Sequence, residues 1–118
     1  MKTNNVIQQK SFDFAIRIIN TYKYLQKEKQ EFVLSKQMLR SGTSIGANIE
    51  ESIGGQSKAD FLSKLSIAYK EARETIYWLK LLHLTDYISN EMAESLISDA
   101  NELCRICGKI QLTLKQGG

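Results

Sequence analysis

Cys104 and Cys107, in the run Cys104-Arg105-Ile106-Cys107, make up the most recognisable reactive pattern in this chain. A CxxC pair becomes a redox centre at a helix N-terminus, where the helix dipole lowers a thiol pKa. Here the pair falls late in a long helical pattern with Cys107 on its apolar stripe, so it reads as two buried, inert thiols. A structural zinc would need two more ligands, and the chain has a single histidine, His83, at the end of a helical segment. No Glu-x-x-His pair of the di-iron bundle type is present. The expectation is no metal and no cofactor.

Carboxylates and phosphate loops are equally sparse. Glu51 and Glu74 are the two acids that could act as a pair, but ion pairs across a contact between copies are the simpler use. The segment ESIGGQSK, residues 51–58, lacks the spacing of a phosphate-cradling loop, and no Ser-His-Asp set is present. These residues point away from an enzyme. Basic residues remain. Lys10 and Arg17 stand two turns apart on one helical face, with Lys23, Lys27 and Tyr24 nearby, while Lys36 and Arg40 stand one turn apart on the next helix and Lys58 opens the third. Lys10, Arg17, Lys36 and Arg40 are the candidate phosphate contacts of a nucleic-acid-binding surface, with Tyr24 available to stack on a base.

The elements that must position these side chains follow from composition and period. The chain has 118 residues, no proline, seven glycines, 42% hydrophobic and 25% charged residues, and fits one globular domain, 1–118, built from long helices. A net charge of +3 permits a polyanionic partner without demanding one. MKTNNVIQQK lacks the apolar core of a secretory signal, IYWLKLLHL is too short to span a bilayer, and two unstapled cysteines fit a reducing compartment. The expectation is a soluble cytoplasmic protein with no membrane partner.

The 3.6-residue period marks four helices. The first runs from about Asn5 to Lys29, with Ile7, Phe14, Ala15, Ile18, Tyr22 and Leu25 inward and Phe12 and Ile19 flanking. The second runs from about Leu34 to Ile53, with Gly54-Gly55 as its cap. The third, capped at Ser57-Lys58-Ala59-Asp60, runs to about Leu84 on a stripe of Phe61, Leu65, Ala68, Ala72, Ile76 and Leu79. The fourth, capped by Ser89, carries Met92, Leu96, Leu103, Cys107, Ile110 and Leu114. Short links make these an all-α, antiparallel up-down-up-down four-helix bundle.

Two features exceed the needs of an isolated bundle. The second helix places Gly42 and Gly46 beside Met38, Ile45 and Ile49, at a cost of about 1 kcal/mol for each glycine relative to alanine. Such a small-xxx-small step admits a neighbouring backbone at close range, or loosens the helix for an interface. The third helix carries a second stripe of Ile67, Glu74, Trp78 and Leu81, which predicts a homo-oligomer interface.

The runs SKQMLRSGTSIGANIEES and SKADFLSKLSIAYKEARETIYWLKLL together resemble the four-helix-bundle family of proteins encoded in intervening sequences of bacterial 23S ribosomal RNA. They also resemble the related accessory protein of diversity-generating retroelements. The resemblance implies a bundle that assembles as a homopentameric ring, and its retroelement branch binds nucleic acid and a reverse transcriptase through basic surface. Matching positions are Arg40, Ser44, Ile45, Asn48 and Glu51, then Ser57, Phe61, Ala68 and Glu74. Many relatives have a glycine where Ser52 stands and arginines near Gly55-Gln56; this chain lacks those basic residues, which weakens the inference of nucleic-acid binding carried by that loop. The expected function is a non-enzymatic ring that binds RNA, DNA or a nucleic-acid-processing protein. Its rivals are a protein scaffold with no nucleic-acid affinity and a small enzyme or metal protein.

Overall fold

Residues 2–117 are described by a computed structural model, and the expected unit of 1–118 reaches two terminal residues outside them. The four helices are α1 (Lys2–Lys29), α2 (Leu34–Ile53), α3 (Lys58–Leu84) and α4 (Asn90–Gln116). They run up and down around one core, each packed on its neighbours in chain order, with α1 against α4 as the thinnest seam. α1 therefore sits diagonally across from α3. The expected boundaries of α2 and α3 hold, while α1 begins at Lys2 rather than Asn5 and α4 continues past Leu114 to Gln116.

Caps explain the boundaries. Ser57 Oγ accepts from the Asp60 amide at 3.1 Å, and Ser89 Oγ accepts from the Met92 amide at 3.1 Å. α2 does end at Gly54, but that glycine has φ −81°, so no left-handed cap forms there. The left-handed residues are Gln30 (φ 51°) and Asp86 (φ 69°), closing α1 and α3. At Asp86 the amides of Tyr87 and Asp86 donate to the carbonyls of Leu82 and His83 at 2.9 and 3.1 Å, the paired bonds of a Schellman motif. The start of α2 is held by Glu31, whose carboxylate accepts from the amides of Val33, Leu34 and Ser35. Burial alone would raise that carboxyl pKa, but these amide bonds prevail and hold it below its ordinary value.

The core takes Ile7, Phe14, Ile18 and Leu25 from α1, Met38, Ile45 and Ile49 from α2, Leu65, Leu79 and Leu82 from α3, and Leu96, Leu103, Cys107 and Ile110 from α4. Gly42 and Gly46 answer to α1. A Cβ on Gly42 would stand 2.8 Å from Ile18 Cγ1 and Cγ2, and one on Gly46 would stand 3.3 Å from the Ser11 carbonyl oxygen. The helices meet so closely that the propensity cost is offset by Ile18, Ile45 and Ile49, each buried at about 1.5–3 kcal/mol. On the other side of α2, the buried hydroxyls of Ser41 and Thr75 lie 3.0 Å apart, so the α2–α3 contact is also built on small residues.

Candidate functional site

Three of the four candidate phosphate contacts are engaged within the chain. Lys10 Nζ lies 3.1 Å from Glu102, and Arg17 reaches both Asp99 and, at 2.9 Å, the Ser95 hydroxyl. Both bridge α1 to α4, supplying polar clasps where the apolar seam is thin. Arg40 reaches from α2 to Glu71 at 3.2 Å and to Glu74 on α3. Lys36, exposed on the first turn of α2, has no carboxylate partner among the described residues. Tyr24 is half-buried against the core rather than presented on the outer face.

Glu51 pairs with Lys64 at 3.0 Å and Glu74 with Arg40, so neither lies beside the other and both ion pairs are made inside one chain. The Trp78 indole N–H donates to Glu74 at 2.9 Å; that bond lowers the Glu74 pKa, partial burial opposes it, and Arg40 lowers it further. The outer face of α2 that carries Arg40, Ser44 and Glu51 is thus stapled to α3, and Ser44 itself accepts from Asn48. Of the expected interface residues, Ile67 is exposed, Leu81 is half-buried, and Trp78 is half-buried with its ring packed partly on the core.

An apolar row missed by the sequence reading lies on α1. Phe12, Ile16 and Ile19 are 59%, 46% and 37% exposed at i, i+4 and i+7, on the face turned from the core. Phe12 and Ile19 do not flank the core as expected, because Ser11 and Thr21 occupy the buried positions beside Phe14 and Ile18. The signal was present as a second period of the same helix.

A second missed group lies on the outer edge of α3. Tyr69, Arg73, Tyr77 and Lys80 follow one another at spacings of four, four and three, with Lys70 alongside. The Arg73 guanidinium sits 5.9 Å from the Tyr69 ring centroid and its Nη1 donates to the Tyr69 hydroxyl at 3.4 Å. Tyr77 meets the Trp78 ring edge-on, with centroids 5.0 Å apart.

Both thiols are free, Cys107 inside the core and Cys104 half-buried against it. Burial pushes Cys107 up to about 12 and raises Cys104, whose shift is opposed by the Arg73 and Arg105 guanidiniums. Among the described residues no three His, Cys, Asp or Glu side chains gather to hold a metal, and no helix is long and apolar enough to cross a membrane.

The chain is similar to a solved structure from Bacteroides thetaiotaomicron, described as a protein of unknown function from the S23 ribosomal protein family. Identity is 54%, the TM-score is 0.91, and the match covers 92% of this chain and 97% of that one. No curated protein matches. The family model described as 23S rRNA-intervening sequence protein matches residues 3–109, and neither description names an enzymatic activity. With four helices in the expected order and a match across almost their whole length, the chain belongs to the 23S rRNA-intervening sequence protein family.

Proposed function

We propose that this protein is a non-enzymatic, self-associating four-helix bundle whose assembled form serves nucleic acid or an enzyme that acts on it. The α1 row of Phe12, Ile16 and Ile19 carries the reading, since an isolated bundle needs one apolar face per helix and α1 has two. Covering such a row gains about 25 cal/mol per Å² of apolar surface removed from water. The expected interface of Ile67, Glu74, Trp78 and Leu81 belongs to α3, diagonally across the bundle from α1. A row on one corner meeting a row on the opposite corner of the next copy is a heterologous contact, which forms a ring when the rotation closes. Five copies is the number the family resemblance implies.

Light scattering on the eluting protein tests this reading. The wild-type chain should elute as a ring-sized species, and Ile16→Glu or Ile67→Glu should shift it to monomer with unchanged helicity. A wild-type monomer at high concentration would remove the self-association.

A scaffold without nucleic-acid affinity is the second reading. It is favoured by the ion pairs Lys10–Glu102, Arg17–Asp99 and Arg40–Glu71/Glu74, which neutralise three of the four candidate phosphate contacts.

A further inference from the structure

The fold sorts its charge. Asp99 and Glu102 turn to the α1 seam, where they take Arg17 and Lys10, and Glu71 and Glu74 turn to the α2 seam, where both take Arg40. The outer edge of α3 is left without an acid to answer Lys70, Arg73 and Lys80: among the described residues none of the three lies in an ion pair. Their charge is uncompensated at a distance where water alone would otherwise solvate it, and a polyanion is the complementary partner.

Aromatic rings stand on the same edge. Tyr77 is 56% exposed, between Arg73 and Lys80 in sequence and on the same helical stripe. Its ring lies against Trp78 with the two planes at 73°, while more than half of the residue stays exposed. Tyr69 is already covered by the Arg73 guanidinium, an arrangement in which a planar cation and a ring form one platform.

We infer that the outer edge of α3, with Tyr77 as a base-stacking platform and Lys70, Arg73 and Lys80 as phosphate contacts, is a binding surface for single-stranded nucleic acid. This inference rests on the proposed nucleic-acid role and moves its site from the paired cations to an unpaired set. An acidic protein would satisfy the cations, but an exposed aromatic ring set among regularly spaced cations is the pairing that bases and phosphates of one strand fit together. A duplex presents phosphates but keeps its bases stacked on one another, so the combination of rings and cations selects a single strand. The surface borders the interface proposed on α3: Lys70 and Tyr77 stand one helical turn from Glu74, while Arg73 and Lys80 lie further round the helix.

Fluorescence anisotropy of the full chain with a short labelled single-stranded RNA of mixed sequence tests the inference. Duplex RNA of the same sequence and polyglutamate serve as competitors. Tyr77→Ala should weaken binding about tenfold, the low-to-middle range for loss of one stacked base, while Tyr77→Phe should keep the wild-type affinity. Arg73→Ala with Lys80→Ala should reduce the slope of log affinity against log salt by about 1.4, two single-strand phosphate contacts' worth. Lys10→Ala should change neither. Wild-type binding that survives Tyr77→Ala and the double change intact would overturn this site while leaving the nucleic-acid role standing. No wild-type binding at low salt would overturn both. Polyglutamate competing as well as RNA, with Tyr77→Ala silent, would assign the edge to an acidic protein instead.

Discussion

Glu31 and Ser35 cap each other. Glu31 Oε1 accepts the Ser35 amide at 2.6 Å, and the Ser35 hydroxyl donates to the Glu31 carbonyl at 2.8 Å, both inside the protein. The carboxylate also takes the amides of Val33 and Leu34 at 3.1 and 3.0 Å, so one side chain satisfies three of the amides that begin α2. Glu31→Ala should lower unfolding free energy by about 1–2 kcal/mol, as loss of a strong N-terminal cap does. The carboxyl pKa is depressed in the folded chain, so its contribution is complete above the unfolded value of 4.5 and is lost as pH falls through the lower folded value. Urea melts between pH 7 and the acid range, on the wild type and Glu31→Ala, check both statements: the two curves should converge on acidification, and curves that stay parallel would mean the carboxylate charge is not what holds α2.

Gly42 and Gly108 should respond to alanine in opposite directions. At Gly42 the new methyl would stand 2.8 Å from two Ile18 carbons, and overpacking of this kind costs about 1–3 kcal/mol against a propensity gain of about 1. Gly108, inside α4 with nothing within 4 Å of its added carbon, should gain up to about 1 kcal/mol. Thermal melts of the two variants decide it. Ile18→Ala in the Gly42→Ala background should recover part of the overpacking loss, as coupled neighbours do.

Gln30 and Asp86 hold positive φ at the ends of α1 and α3. A non-glycine residue in that region carries about 1–2 kcal/mol of strain, less for Asp, whose short polar side chain tolerates it. Gln30→Gly should therefore raise the unfolding midpoint, and Asp86→Gly should raise it less. A drop in both would show that side-chain contacts at these corners outweigh the backbone.

The two cysteines should differ in access. With its thiol pushed up to about 12 by burial, Cys107 should not react with a disulfide reagent near neutral pH until the chain unfolds, whereas half-buried Cys104 should react slowly in the native state. Thiol counting before and after denaturation would show one slow and one silent group. Two fast native thiols would reopen the CxxC as a working pair.

Arg40 and Glu74 should matter little to stability and visibly to Trp78. Both side chains are at least a third exposed, and exposed ion pairs are worth about 0–1 kcal/mol. Arg40→Ala should stay within that range, while Glu74→Gln, which changes the group the indole N–H donates to, should shift Trp78 emission. A loss well beyond 1 kcal/mol for Arg40→Ala would mean its stem, not its charge, closes the α2–α3 seam.

Most of the fold was legible because helical periodicity and capping residues act locally. Ser57 and Ser89 announced their helices through residues three positions ahead, and the core rows of α2 and α4 recur at a spacing readable from the chain. Glu31 was not legible as a cap, since it sits three residues before the formal start of α2 and works only once the turn folds its carboxylate back. The candidate surfaces were harder still. Lys10, Arg17 and Arg40 read as free cations because their carboxylate partners lie on other helices, 92, 82 and 31 or 34 positions away in the chain.

The sequence by itself therefore determined which residues form helices, where they stop and which stripe of each turns inward, because those choices depend on neighbours within a few residues. Only the tertiary structure decided which charges neutralise one another and which apolar rows stay open, because both depend on which helices meet. Antiparallel packing delivered Glu102, Asp99, Glu71 and Glu74 to three of the expected cations, and it left Phe12, Ile16 and Ile19 exposed on one corner and Tyr77 with Lys80 exposed on the other.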